Sequence, residues 1–191
     1  AVIPDRIEAG TFLIAAAAIG EKVKVTNIIP EHLESVVQCL KKANVNIEVS
    51  DNSITVQSDN KNISSTNIET NEYPGFPTDL QAQWMMLMCL AKGTSTIKEN
   101  IYYDRFTHIM ELNRLGCNIK LEDSIAIIEG DRSLIGADVM STDIRASAAL
   151  IIAALCAKGT TKISRVYHID RGYDKIEEKL TNIGAEIFRK K

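Results

Sequence analysis

Three stretches of the chain are apolar on nearly every side: residues 12–19, 84–91 and 148–157. A helix that is apolar all round belongs inside a protein, so each stretch predicts a buried helix. Each also has the same punctuation. Pro4-Asp5-Arg6-Ile7, Thr78-Asp79-Leu80-Gln81-Ala82 and Thr142-Asp143-Ile144-Arg145-Ala146 open them, and Gly20, Gly93 and Gly159 close them, 15, 14 and 16 residues after the respective Asp. Asp or Thr at a helix start and Gly at its end are the expected caps.

A short strand follows each glycine, at 23–25, 96–98 and 162–164. An amphipathic helix comes next: Leu33, Val36, Val37 and Leu40 form one apolar stripe, Phe106, Ile109 and Met110 a second, and Tyr173, Ile176, Leu180 and Ile183 a third. These helices are expected to stop at Asn44, Gly116 and Gly184. Hairpins are predicted at 46–49 with 54–57, turning at Asp51-Asn52, and at 118–121 with 125–128, turning at Glu122-Asp123. The third copy offers only residues 185–188 as a first strand before the sequence stops.

The pattern is therefore a βαβαββ unit used three times, at about residues 1–58, 66–130 and 137–191, with the last strand of the third unit missing. No linker divides residues 1–191, which read as a single α/β domain. The economical packing is an inside-out barrel with pseudo-threefold symmetry, the apolar helices at its centre. An unpaired strand at 185–188 is a candidate edge for pairing with a second copy.

Composition narrows the class. With 45% hydrophobic residues, 25% charged and a net charge of −3, this is ordinary globular sequence with no basic block, which argues against nucleic-acid or membrane-surface binding. Cys39, Cys89, Cys117 and Cys156 stand far apart in or beside apolar runs, which suits reduced core thiols in a cytoplasm. The apolar runs are too short to span a bilayer, and no basic-then-apolar signal-peptide pattern occurs in the sequence, so a soluble intracellular protein is expected. No phosphate-binding glycine loop, nucleophile elbow or metal-ligand spacing occurs, and no cofactor is implied.

The residues able to do chemistry recur in register. Asp104-Arg105 and Asp170-Arg171 lie at equal distances beyond Gly93 and Gly159, each placed to open an amphipathic helix. A guanidinium beside a helix N-terminus suits an anion; a cap with a surface ion pair is the alternative. Asp79 and Asp143 head two buried helices, where a carboxylate serves either as a cap or, partly desolvated, as a general base.

The segments Val2-Ile3-Pro4-Asp5-Arg6-Ile7-Glu8-Ala9-Gly10-Thr11-Phe12, Phe76-Pro77-Thr78-Asp79-Leu80-Gln81-Ala82-Gln83, Thr142-Asp143-Ile144-Arg145-Ala146-Ser147 and Tyr167-His168-Ile169-Asp170-Arg171-Gly172-Tyr173 resemble the bacterial UDP-N-acetylglucosamine enolpyruvyltransferase family. The resemblance runs the whole length of the chain but covers only the C-terminal part of such enzymes, somewhat under half. It implies two barrel domains that close on substrate and transfer the enolpyruvyl group of phosphoenolpyruvate to the 3′-hydroxyl of UDP-N-acetylglucosamine, releasing phosphate, at the first committed step of peptidoglycan synthesis.

By motif, Asp79 is implied to bind that hydroxyl and act as its base, and Asp143 to assist proton movement with Arg145 supporting it. Arg105 and Arg171 are implied to hold phosphoenolpyruvate, and Ile101 to contact the nucleotide sugar through its backbone. The family's reactive cysteine belongs to the other domain, and none of the four cysteines here matches its motif. The chain opens without Met and is expected to be part of a longer protein, inactive alone. The competing expectations are a non-catalytic barrel module and a domain of the related shikimate-pathway enolpyruvyltransferase.

Overall fold

In a computed structural model of the chain, residues 2–20, 22–59 and 61–190 are described. The three apolar stretches are helices: α1 (Arg6–Ile19), α3 (Gln81–Leu90) and α5 (Ile144–Cys156). Nearly every residue of α3 is buried, Trp84 and Met85–Met88 completely. The three helices pack on one another and form the centre of the main core. The amphipathic helices are α2 (Glu34–Lys42), α4 (Ile109–Arg114) and α6 (Ile176–Asn182).

Strands β1 (Lys22–Thr26), β2 (Asn46–Ser50) and β3 (Ser53–Gln57) form an antiparallel sheet in the order β1-β3-β2. In the second unit β4 (Ile68–Glu69), β5 (Thr94–Lys98), β6 (Asn118–Glu122) and β7 (Ile125–Glu129) are ordered β4-β5-β7-β6, with β4 parallel to β5. Among the described residues the third unit has only β8 (Asp138–Met140) parallel to β9 (Lys162–Ser164). Sheet one lies on α1 and sheet two on α3. Gly20, Asn44, Gly116 and Gly184 adopt the positive φ that ends a helix, whereas α3 and α5 end on extended residues, Ala91 and Ala157, and Gly93 and Gly159, also at positive φ, only turn the chain two residues later.

Several expectations are corrected. Residues 185–188 have no ladder partner among the described residues, and the tail is held by Ala185 N donating to Leu180 O, Thr181 Oγ1 donating to Ile187 O and Arg189 bridging Asp170 and Glu177. Residues 2–5 are likewise not a strand; Ala1 and Lys191 lie outside the described residues. The second hairpin turns at Asp123-Ser124 rather than one residue earlier, because Glu122 still pairs with Ile125 and Asp123 takes the left-handed turn position. Met110 and Ile183 face solvent, and Leu112 and Leu115 complete the buried stripe beside Ile109.

Candidate functional site

The two Asp-Arg pairs do not open α-helices. Arg105 sits in a run of turns between β5 and α4, which starts only at Ile109, and Asp170-Arg171 end the 3₁₀ segment Val166–Arg171, five residues before α6. Neither arginine therefore has an α-helix N-terminus beside it to add a helix dipole to its guanidinium charge. Asp170 is an exposed carboxylate paired to Arg189, whose hydrogen bonds lower its pKa. Arg171 is exposed, with no ion pair or hydrogen bond among the described residues, so its donors face outward uncommitted.

The three acidic helix starts also differ. Asp5 Oδ1 accepts from Ile7 N and Glu8 N, and Asp143 Oδ1 accepts from Arg145 N and Ala146 N at 2.8 and 2.9 Å; both are true N-caps. Asp79 caps nothing. A 3₁₀ turn, Thr78–Leu80, intervenes before α3 and swings its carboxylate to two arginines: Oδ1 takes Arg105 Nη1, and Oδ2 takes Arg145 Nη2 at 3.0 Å. All three side chains are half-buried. Partial burial alone raises the pKa of Asp79, but hydrogen bonds and charge from Arg105 and Arg145 outweigh it and hold the carboxyl below its ordinary value.

The central helices support this cluster from beneath. Arg145 reaches Asp79 from the first turn of α5, with the Tyr173 ring 5.9 Å from its guanidinium carbon. The Tyr173 hydroxyl lies 2.8 Å from Thr11 Oγ1 on α1, and Gln83 Nε2 on α3 donates to Thr11 and to the Asp79 carbonyl. Gly172 lets the Arg171 turn come this close: a Cβ there would meet Ile144 Cγ2 at 2.9 Å and stand 3.8 Å from Arg145 Nη1. The structure thus brings Asp79, Arg105 and Arg145 into direct contact and the Arg171–Tyr173 turn alongside.

Asp143 keeps Oδ2 for Thr142 Oγ1, at 3.3 Å, and is not bonded to Asp79. Ile101 is on the surface of the loop carrying Arg105, and its N–H is already given to Glu99, so only its carbonyl and side chain remain for a ligand.

Four residues escaped the sequence reading. Glu99, at the end of β5, looks like a polar strand terminus, yet it is buried and accepts four hydrogen bonds; no local pattern signals that. His108 is buried with Nε2 unpartnered among the described residues. Burial, only partly opposed by the Asp143 charge and reinforced by Arg105, pushes its pKa down to about 4. Thr11 and Gln83 read as interruptions of apolar helices. All four cysteines are free, and burial raises the thiol pKa of Cys39 and Cys156; hydrogen bonding to Cys117 and burial do so for Cys89, so none of these three is an activated nucleophile. Among the described residues no His, Cys, Asp or Glu cluster has a metal-site arrangement.

A model of the EPSP synthase (3-phosphoshikimate 1-carboxyvinyltransferase) family matches residues 1–180. The chain belongs to the EPSP synthase family. The UDP-N-acetylglucosamine 1-carboxyvinyltransferase of Campylobacter fetus subsp. fetus is 54% identical over 188 residues, 98% of this chain and 44% of that protein. The enolpyruvyl transferase NikO from Streptomyces tendae superimposes with a TM-score of 0.89 at 27% identity, over 97% of this chain and 44% of NikO. EPSP synthase from Acinetobacter baumannii shares the fold at a TM-score of 0.75 and 15% identity, over 99% of this chain and 44% of its own. The chain spans about 44% of the length of the curated relatives it matches. The mixed α/β architecture expected from the sequence is that of the enolpyruvyl transferases.

Proposed function

We propose that residues 1–191 form one domain and supply one wall of an active site that transfers enolpyruvyl from phosphoenolpyruvate to the 3′-hydroxyl of UDP-N-acetylglucosamine. The observation that carries this reading is Asp79 held between Arg105 and Arg145, in a chain half identical to proteins named for that reaction. The sugar oxygen bonds to C2 of phosphoenolpyruvate and gives its proton to Asp79, while C3 gains a proton from the opposite wall. Loss of the C3 proton and cleavage of the C2–O bond then release phosphate.

A carboxylate has about four lone-pair sites, so Asp79 can take the hydroxyl while still paired. Paired this way it is a weak base. Arg105 and Arg171 are the cations for the phosphate and carboxylate of phosphoenolpyruvate, and an anion that draws Arg105 toward itself leaves Asp79 more basic. Substrate binding and base strength are thereby coupled. Asp143, one oxygen spent on its cap, offers Oδ2 for proton movement, and the Ile101 carbonyl faces the nucleotide sugar. We place the reaction in the cytoplasm, as a step of bacterial cell-wall precursor synthesis; among the described residues no helix is long and apolar enough to cross a membrane.

Calorimetry of the 191-residue chain with UDP-N-acetylglucosamine tests the substrate. Weak binding of that sugar, with no phosphate released when phosphoenolpyruvate is added, is the expected result, because the reacting atoms need both walls. Preferential binding of shikimate 3-phosphate would overturn the substrate, and phosphate release by the chain alone would overturn the divided site.

A further inference from the structure

We propose that Glu99 is a positioning residue of this site: its buried carboxylate fixes the distance between the turn that carries Asp79 and the loop that carries Ile101 and Arg105. The proposal rests on the reading that these residues hold substrate. Glu99 is 3% exposed and has no cationic partner among the described residues. A buried carboxylate needs several good donors to offset its lost hydration, and here they come from three segments. Oε1 accepts from Thr70 Oγ1 at 2.6 Å, Ile101 N at 2.9 Å and Tyr102 N at 3.0 Å, while Oε2 accepts from Thr78 Oγ1 at 3.0 Å.

The two oxygens thus face different elements. Thr78 immediately precedes Asp79. On the other side Tyr102 orients Arg105 twice, since its carbonyl accepts from Arg105 N at 3.1 Å and its ring lies 5.1 Å from the guanidinium carbon. Because Arg105 then pairs with Asp79, the links form a closed ring: Glu99 to Thr78, Asp79, Arg105, Tyr102 and back to Glu99. A chain that needed only to satisfy the two loop N–H groups could do so with one neutral acceptor. The second oxygen is used to join the loop to the Asp79 turn.

The test uses the isotope-labelled chain and four substitutions. Thr78→Val removes only the link to the Asp79 turn. Glu99→Gln replaces one accepting oxygen with a donor, and Ile54→Val, in the buried core of the first sheet, is a mild control for stability alone. Titration of the Asp79 carboxyl carbon by NMR reads the Asp79–Arg105 spacing without any substrate. Thr78→Val and Glu99→Gln are expected to move that titration up toward an ordinary aspartate and to weaken UDP-N-acetylglucosamine binding about tenfold. Thr78→Ser, which keeps the hydroxyl, is expected to restore both, and Ile54→Val to change neither.

If Thr78→Val and Glu99→Gln lower the melting temperature yet leave the Asp79 titration at its native position, Glu99 merely closes a loop and the proposal is overturned. If Glu99→Gln does not fold, Thr78→Val decides alone. If the native chain binds no UDP-sugar, the proposed substrate falls, while the Asp79 titration still judges Glu99.

Discussion

The starts of the second and third buried helices look alike in sequence, Thr78-Asp79 and Thr142-Asp143, but they do different work. Asp143 spends one oxygen on two backbone N–H groups and so secures its own helix. Asp79 gives both oxygens to arginines that lie 26 and 66 residues away in the chain. One 3₁₀ turn, Thr78–Leu80, makes the difference by separating the aspartate from the helix it precedes. The lesson is that an acidic helix start becomes available for chemistry when something else ends the helix's claim on it; here α3 begins without a side-chain cap.

Several substitutions would sharpen or break this contrast. The largest effect belongs to Asp79→Asn. In the longer protein it is expected to lower kcat by about 10²-fold to 10⁴-fold, more than it raises KM, measured by phosphate release. An equal effect from Asp143→Asn would erase the distinction between the two aspartates.

Next is acid stability. His108 senses both Asp143 and Arg105 and is neutral when folded, with a pKa of about 4 against about 6.5 unfolded. As pH falls from about 6.5 to 4, the unfolded chain binds a proton there that the folded chain does not, so stability is lost over that window. The loss is on the order of 3 kcal/mol at most. Denaturant unfolding across pH should show it, and His108→Leu should flatten it.

Smaller still is the cap itself. Asp143→Ala is expected to cost about 1 kcal/mol of unfolding free energy, whereas Asp143→Asn, which still accepts from the backbone, should cost a few tenths. Among the cap truncations the smaller effect is Asp5→Ala, at about 0.5 kcal/mol, since one of its two cap bonds is long, at 3.2 Å, and lies in the open. A loss at Asp5 greater than that at Asp143 would contradict the ranking.

How far the molecule could be read from its sequence follows from how local each feature is. The buried helices, the left-handed stop of α1 and both complete hairpins were readable because period, glycine placement and turn residues act over a few positions, whereas α3 and α5 end on extended residues short of their glycines. Strand limits shifted by one or two residues where pairing continued past the apolar run, as at Lys22 and Glu129. Residues 185–188 stay without a ladder in the single chain because a strand is defined by its partner, and the sequence offers them none. The helix N-termini assigned to Arg105 and Arg171 failed for a related reason: 3₁₀ and irregular turns occupy those places. Glu99 stayed hidden because its four donors come from three segments that meet only in the folded chain.

The sequence by itself determined the threefold order of elements, the identity of the central helices, and the motifs that carry Asp79, Arg105, Asp143, Arg145 and Arg171. Those properties are written in short-range periodicity and in residue types at fixed spacings. Only the tertiary structure decided which aspartate is a cap and which is an ion-paired carboxylate, that Ile101 has already given away its N–H, and that a single buried glutamate ties the Asp79 turn to the Arg105 loop. Each of these depends on atoms far apart in the chain arriving within hydrogen-bond distance, which is a property of packing rather than of local sequence.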